Sequence, residues 1–465
     1  MPEFIWTQLR EITGGEWLIP PRADTVGVDG IHDDSRALTP GALFIAIQGN
    51  LVDGHRFISK AVQNGAGAVC LQTARTSESQ LRALHEKKVP TLAVPDSLNA
   101  YHDLARAWRR QCRQATVIGL TGSSGKTSLR AILESILRTV HGDRVLATEG
   151  NTNNEFGVPR NLLRLTPEHR VAVIEVGTND PGEIARLAAV VEPDIAAITT
   201  IGRAHLEFFG TLEAIAREKS DLIKALPATG IAILPDRCPG NDILKKAAGN
   251  RRTVVFGETA DADVRVEYLG RAEGAAYAVK FTSKAVDLPN PVEWPVGGRH
   301  QALNAAAAVS VARAAGVGAD EIVRGLQQTR LPGMRMQVTE TNGINWVNDA
   351  YNANPDSMRA AIEWFAEMTE EAEDARRWLV LGDMLELGAA APREHASILQ
   401  WATERMPYAS IIPVGSEMTV AAAKLDLKAY PDAAAATAAL SKLSPGDWVL
   451  LKASRGIHLE EMLPQ

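Results

Sequence analysis

Residues 115–128, Ala-Thr-Val-Ile-Gly-Leu-Thr-Gly-Ser-Ser-Gly-Lys-Thr-Ser, run from an apolar strand pattern through a glycine loop into a helix start. Glycines let consecutive backbone N–H groups turn toward one anion, and a helix N-terminus adds the positive end of its dipole. In such a phosphate loop Lys126, expected to face solvent, reaches terminal phosphates, and the Thr127 hydroxyl is placed to ligate Mg²⁺. The loop is shorter than the standard P-loop, whose spacing would put a glycine at Leu120. A Gly-Ser turn with an unrelated lysine is the plainer alternative. The apolar positions Leu129, Ile132, Leu133, Ile136, Leu137 and Val140 favour the phosphate loop, because they share one face of a helix that would start there.

Glu175 ends the apolar run 170–177, and His205 follows the run 194–201. In doubly wound sheets ligands gather beyond the carboxyl ends of strands, so both residues can meet Thr127 in one crevice. A carboxylate and an imidazole suit a Mg²⁺ that already carries phosphate oxygens. Taken alone, His205 is more simply a satisfied loop or core histidine; beside Glu175 and the loop the two readings stand level. Residues 211–226 predict an amphipathic helix with Leu212, Ile215, Ala216, Leu222 and Ile223 on its apolar side. Lys219 falls on or near that buried face, where the plain alternative is a lysine snorkelling to solvent.

These residues need several elements to position them. Before the loop, short apolar strands (42–47, 66–71, 91–94) alternate with helical segments (57–63, 77–86). A polar helix, 98–114, leads into the loop strand. After it, 171–176, 195–200 and 230–234 read as parallel-sheet strands. From 251 to 296 the pattern changes to alternating strands without helices, which predicts an antiparallel appendage on the same domain. An alanine-rich helix (301–315) and a hinge at Pro332-Gly333 follow. The last part opens with a hairpin turned at Asn342-Gly343 and then alternates strands (378–381, 410–414, 448–451) with helices. The fold class is α/β in three domains, 1–113, 114–330 and 331–465, the central one with a mostly parallel sheet.

At 465 residues the chain exceeds a single core. Its 45% hydrophobic and 23% charged residues are those of an ordinary globular protein. A net charge of -7 argues against nucleic acid or a membrane surface as a partner. Cys70, Cys112 and Cys238 are too scattered for a disulfide framework or a metal cluster. With no apolar leader in the first twenty residues and no long apolar run, a cytoplasmic protein is expected.

Several segments together resemble the Mur ligase family. Residues 34–44 (Asp-Ser-Arg-Ala-Leu-Thr-Pro-Gly-Ala-Leu-Phe) and 53–57 (Asp-Gly-His-Arg-Phe) look like its UDP-binding segment. Residues 150–157 look like its asparagine-rich loop, and 175–177, 204–207 and 298–304 match its metal and adenine motifs in order. Residues 349–355 (Asp-Ala-Tyr-Asn-Ala-Asn-Pro) and 381–388 (Leu-Gly-Asp-Met-Leu-Glu-Leu-Gly) are similar to those of the type that adds D-alanyl-D-alanine to UDP-N-acetylmuramoyl-tripeptide.

The resemblance implies an N-terminal UDP-binding α/β domain, a central P-loop ATPase domain and a C-terminal Rossmann-like ligase domain. It implies that Gly122, Ser123, Ser124, Gly125, Lys126, Thr127 and Ser128 hold the phosphates of ATP. Thr127 and Glu175 would hold a first Mg²⁺, and His205 a second, with Lys219 carbamylated by CO₂. Asn304 would contact adenine, Arg335 the terminal phosphate, and Asp349 the ribose or phosphates. Ser35 and Arg36 would hold the uracil end, and Asn151, Asn153 and Asn154 would face phosphate and sugar. Lys126, His205, Lys219 and Arg335 would be the catalytic set. Asn352, Ser454 and Arg455 fall to substrate binding, although Asn352 and Asn354 read equally as turn residues ahead of Pro355. Ala453 stands where the family usually has glycine. Arg203 reads as a solvated arginine at a strand end.

The implied reaction is ATP-driven amide formation through an acyl phosphate, by a monomer whose units, joined near Gln114 and Leu331, close when nucleotide binds. Three rivals are set against it. A diamino-acid-adding ligase usually carries Asp-Asn-Pro-Arg, which is not found here. A folylpolyglutamate synthetase has its phosphate loop near the chain start. A P-loop switch would hydrolyse ATP without needing two further substrates.

Overall fold

The computed structural model describes residues 2–274, 276–283, 288–372 and 374–464. The outermost bounds of the expected domains, Met1 and Gln465, lie outside the described residues. Three sheets organise the chain, with a two-stranded ribbon (Glu3–Ile5 with Gly27–Asp29) beside the first.

The first sheet has five strands in the order Glu16–Ile19, Thr91–Ala93, Ala68–Leu71, Leu43–Ile45 and Ile31–His32. All its pairs are parallel except that of Glu16–Ile19 with Thr91–Ala93. The second sheet has nine strands. Six of them, Val145–Ala147, Val171–Glu175, Thr116–Thr121, Ile195–Ile198, Ile231–Pro235 and Arg252–Gly257, are parallel neighbours in that order. Val264–Arg271, Tyr277–Ser283 and Val292–Trp294 extend the same sheet, and only the last two pairings are antiparallel. The expected antiparallel appendage holds for Val264–Arg271, Tyr277–Ser283 and Val292–Trp294, which pair antiparallel with one another at the edge of the main sheet, and is corrected at its start, where Arg252–Gly257 is a parallel strand. Alternating apolarity marks an edge strand of either direction, so pairing sense was not in the pattern. The third sheet begins with the hairpin Gln337–Thr341 and Ile344–Asn348, turned at Asn342-Gly343 as expected. It continues in parallel through Trp448–Lys452, Arg377–Gly382 and Ser410–Val414.

Helix Ser97–Gln111 is amphipathic rather than polar: it buries Ala100, Tyr101, Leu104, Ala105 and Trp108. Its Arg109 donates to the Asp194 carboxylate at 2.9 Å and to the Glu192 carbonyl at 3.2 Å. Through this helix the apolar residues of the first sheet and one face of the second form a continuous core, from Phe4 and Leu43 to Val117 and Leu187. Among the described residues no helix is long and apolar enough to cross a membrane.

The other face of the large sheet carries helix Lys126–His141, which follows the glycine loop. Leu129, Ile132, Leu133, Ile136 and Leu137 are fully buried, each stabilising the fold by about 1.5–3 kcal/mol. Val140, expected on that face, is exposed in the last turn. Helix Ala319–Gln327 crosses so closely that a Cβ on Gly325 would lie 2.4 Å from the Ile136 Cα. Ser135 Oγ donates to the Gly325 carbonyl across that contact at 2.7 Å. Gly325→Ala should force the two helices apart and destabilise the protein by about 1–3 kcal/mol, read as a lower urea midpoint.

Candidate active site

The strand Thr116–Thr121 ends in the glycine loop between the carboxyl ends of Val171–Glu175 and Ile195–Ile198. Two glycines are required by space as well as by backbone. Gly122 (φ +151°) passes Thr199, whose Oγ1 would lie 1.8 Å from an added Cβ. Gly125 (φ +82°) faces Asn304, whose Oδ1 would lie 2.4 Å from one. Ser123 Oγ accepts from the Gly202 N–H at 2.9 Å, and Thr199 donates to the Ser124 carbonyl. Asn304 Nδ2 donates to Gln301 Oε1 at 3.0 Å, so its Oδ1 is the atom turned to the loop.

Lys126 faces solvent only in part: it is half-buried, and its Nζ donates to the Gly122 carbonyl at 2.8 Å. Burial lowers its pKa, and the nearby Arg335 adds to that, while Glu175 opposes it. Glu175 is fully buried at its strand end. Its Oε2 accepts from Thr127 Oγ1 at 3.1 Å and its Oε1 from Arg130 Nε at 2.7 Å. Sequence alone did not single out Arg130, because a lone arginine on a helix is usually solvated. Its spacing four residues after Lys126 was the available signal.

His205 has a left-handed backbone (φ +57°), uncommon outside glycine, and caps the short helix Leu206–Phe209. Its Nδ1 lies 2.6 Å from Glu386 Oε2, short of the alignment a hydrogen bond requires. The contact with His205 is the main reason the Glu386 pKa is lowered. Lys219 lies on helix Leu212–Lys224 and is 1% exposed, so it does not snorkel. Among the described residues no hydrogen bond or ion pair engages its amine. Burial, with a contribution from Lys126, lowers its pKa to about 7. The neighbouring Glu218 carboxylate is spent on the Gly182 and Ile184 N–H groups, at 2.8 Å each.

The third unit covers the loop with residues 349–355 and 383–388. Asn354 caps helix Pro355–Met368 by accepting from the Ser357 N–H at 2.9 Å, and its Nδ2 donates to Ser124 Oγ at 2.9 Å. Turn chemistry and contact with the phosphate loop thus coexist in one side chain. Asp356 Oδ2 accepts from the Arg203 N–H at 3.0 Å, and Oδ1 from Arg203 Nη1 at 3.2 Å. Arg203 therefore bridges two units instead of being merely solvated. The Arg335 guanidinium stacks 3.7 Å over the Tyr351 ring, and burial lowers its pKa. Asp349 pairs with the buried Lys452 at 2.7 Å and accepts from the Met336 N–H at 3.1 Å, which fixes the backbone next to Arg335.

Between the central and third units lies a polar cavity of about 340 Å³ lined in part by Lys126, Asn151, His205, Asn352, Glu386 and Arg455. Ser454 borders it too, but its Oγ is engaged, accepting from the Leu385 N–H at 2.9 Å and donating to the Ala353 carbonyl at 3.3 Å. Arg455 is paired with Glu460. Ala453 is accommodated because it faces Gly382, where an added Cβ would come within 2.6 Å of its own. Asn153 and Asn154 do not line the cavity. The Asn153 backbone carbonyl accepts from the Gly177 N–H at 2.8 Å, and Asn154 Oδ1 from the Gly157 N–H at 3.0 Å. Ser35 and Arg36 lie on the first unit, away from the cavity lining. The Ser35 carbonyl accepts from Asn64 at 2.7 Å, and the exposed Arg36 is bonded to Asp34 at 2.8 Å.

Among the described residues no group of three His, Cys, Asp or Glu could hold a metal alone. The hydroxyl–carboxylate pair of Thr127 and Glu175 instead offers hard oxygen donors next to a phosphate loop. That arrangement fits Mg²⁺, which keeps waters and shares phosphate oxygens rather than sitting in an all-protein cage.

Three family models match in succession: Mur ligase family, catalytic domain, over residues 27–109; Mur ligase middle domain over 120–312; and Mur ligase, glutamate ligase domain, over 334–455. The UDP-N-acetylmuramoyl-tripeptide–D-alanyl-D-alanine ligase of Escherichia coli is 36% identical over 397 residues, 84% of this chain and 82% of its own. The chain belongs to the Mur ligase family. Among solved structures, MurF from Acinetobacter baumannii matches with a TM-score of 0.89 at 32% identity, over 99% of this chain and 98% of its own. MurF ligase from Thermotoga maritima, in complex with ADP, matches with a TM-score of 0.79 at 27% identity, over 94% and 96%.

In this Mur ligase the buried Glu175 depends on Arg130. Arg130→Met leaves the carboxylate uncompensated and should cost about 3–5 kcal/mol in thermal unfolding, with part of the loss recovered when Glu175→Gln is added.

Proposed function

We propose that this protein joins D-alanyl-D-alanine to UDP-N-acetylmuramoyl-tripeptide, with ATP converted to ADP and phosphate, in peptidoglycan precursor synthesis. The observation that carries this reading is the near full-length match to ligases of that name, combined with a complete phosphate loop facing a polar cavity between two units. We read residues 1–113 as holding the UDP end through Ser35 and Arg36, 114–330 as holding ATP, and 331–465 as bringing the dipeptide. The reading is of a monomer in the cytoplasm.

The tripeptide carboxylate attacks the γ-phosphoryl group, releasing ADP and forming an acyl phosphate. The dipeptide amine then attacks the acyl carbon, loses a proton and expels phosphate. The first step brings an anion toward a triphosphate, so its catalysis is mainly positioning and charge neutralisation. Lys126 leaves the Gly122 carbonyl to meet the terminal phosphates, and Arg335, held flat on Tyr351, approaches from the third unit. Asn304 takes adenine, and Asp349 the ribose or phosphates. Asn151, Asn153 and Asn154 serve the phosphate and sugar side. Asn352, Ser454 and Arg455 serve the dipeptide side. Mg²⁺ on Thr127 and Glu175, and a second ion on His205 and carbamylated Lys219, would neutralise phosphate charge during transfer.

A protonated Lys219 would be costly to bury and would repel a cation. Its neutral amine can instead add CO₂, forming an N–C bond and releasing a proton, which leaves an anionic carbamate. With a pKa of about 7, the amine is neutral above that pH and protonated below it. Carbamate occupancy in the metal-free protein, followed by ¹³C NMR under ¹³CO₂, should therefore fall as pH drops through about 7 and vanish in Lys219→Ala. Lys219→Ala should be nearly inactive and partly rescued by acetate, whereas Lys219→Arg stays inactive, since the guanidinium keeps its charge and fills the space.

Phosphate release measured over a panel of UDP-muramoyl peptides and acceptors tests the whole reading. D-alanyl-D-alanine should far exceed free D-alanine or a diamino acid, and Lys126→Ala should abolish turnover with the fold intact. Preference for a diamino acid would replace the reading.

A further inference from the structure

The loop 383–388 is pinned inside the third unit along its first residues. The Asp383 carboxylate accepts from the Glu417 and Met418 N–H groups at 3.2 and 2.7 Å. Met384 N–H donates to His395 Nε2, and Leu385 N–H to Ser454 Oγ, both at 2.9 Å. Glu386 turns the other way. Its carbonyl accepts from the Glu207 N–H of the central unit at 3.1 Å, and its carboxylate lies 2.6 Å from His205 Nδ1. Gly388 closes the same contact, since an added Cβ would come within 3.0 Å of the Glu207 Cα.

The backbones on both sides are left-handed, φ +57° at His205 and +63° at Glu386. Non-glycine residues rarely adopt that conformation unless their surroundings impose it, and such outliers gather at functional contacts. The pinned loop on one side and the helix start on the other supply that constraint. Asp383, the other acidic residue of the Gly-Asp-Met-Leu-Glu-Leu-Gly segment, is wholly spent on its own unit.

We propose that Glu386 is a positioning residue: its carboxylate, 2.6 Å from His205 Nδ1 but not yet aligned with it, turns on full docking of the third unit to accept from Nδ1–H, which holds the proton on Nδ1 and leaves Nε2 free to ligate. The inference rests on the reading of His205 as a metal ligand. A carboxylate facing one ring nitrogen selects the tautomer and orients the ring, and losing such a partner typically costs about 10–100-fold in metal affinity or activity. Because Glu386 and His205 belong to different units, the ligating form of His205 becomes conditional on docking. Undocking withdraws the carboxylate, so the second metal position is complete only when the dipeptide-bearing unit is in place.

The test combines spectra of the metal-free protein, saturated with ADP so that the units are closed, with kinetics. Long-range ¹H–¹⁵N imidazole spectra, with His205 assigned by its loss in His205→Asn, should show Nδ1–H in the wild type. Glu386→Ala should move the proton to Nε2, and Glu386→Gln, which keeps an acceptor oxygen, should retain it on Nδ1. Glu386→Ala should also raise the Mg²⁺ concentration for half-maximal phosphate release by about tenfold. An unchanged Nδ1–H signal in Glu386→Ala overturns the proposal. So does an unmoved Mg²⁺ requirement in Glu386→Ala when His205→Asn raises it. If His205→Asn leaves the Mg²⁺ requirement unmoved too, the metal reading of His205 falls, and the spectra still decide whether Glu386 positions the ring.

Discussion

Burying a carboxylate without solvent is the constraint around which the site is arranged. Glu175 is fully buried at the end of an interior strand, where an unpaired charge would cost several kcal/mol. Arg130 and Thr127, from the first turns of the helix after the phosphate loop, each satisfy one of its oxygens. The helix is held in that register by its apolar face and by the close crossing at Gly325. Packing some distance from the chemistry thereby sets where the loop's N–H groups point.

The cover over the loop is built differently. Where the first and central units share a continuous apolar core, the third unit meets the central one through polar contacts, Asn354 with Ser124, Asp356 with Arg203 and Glu386 with His205, alongside the apolar Leu206. Polar inter-unit contacts of this kind exchange readily with water, so domain motion is the ordinary expectation. A cavity assembled from both sides suits a reaction that must bring two substrates together.

Lys219 and Lys126 show how burial changes what a lysine can do. Both have lowered pKa values from desolvation, but Lys126 has a carbonyl to donate to and Lys219 has none among the described residues. A buried neutral amine with no hydrogen-bond partner among the described residues stays nucleophilic, which is the chemical state that addition of CO₂ would require.

Local signals made much of this legible in the sequence. The glycine loop, its following helix, the hairpin at Asn342-Gly343 and most parallel strands were readable, because glycine placement and apolar periodicity act over a few residues. Helical spacing put Lys219 on or near the buried face, but left open whether its amine would snorkel to solvent; the fold buries it. What the sequence could not carry were the partners. Arg130 on Glu175, Arg203 on Asp356 and Glu386 on His205 join residues 45, 153 and 181 positions apart. Nor did it carry the parallel pairing of Arg252–Gly257, or the amphipathic packing of Ser97–Gln111 between units. Such choices depend on which surfaces meet after the chain has folded, and a charged side chain reads the same in sequence whether it ends in water or against a buried opposite charge. The sequence by itself determined the elements and the phosphate loop. Tertiary structure decided which charges are compensated, and from which unit the compensation comes.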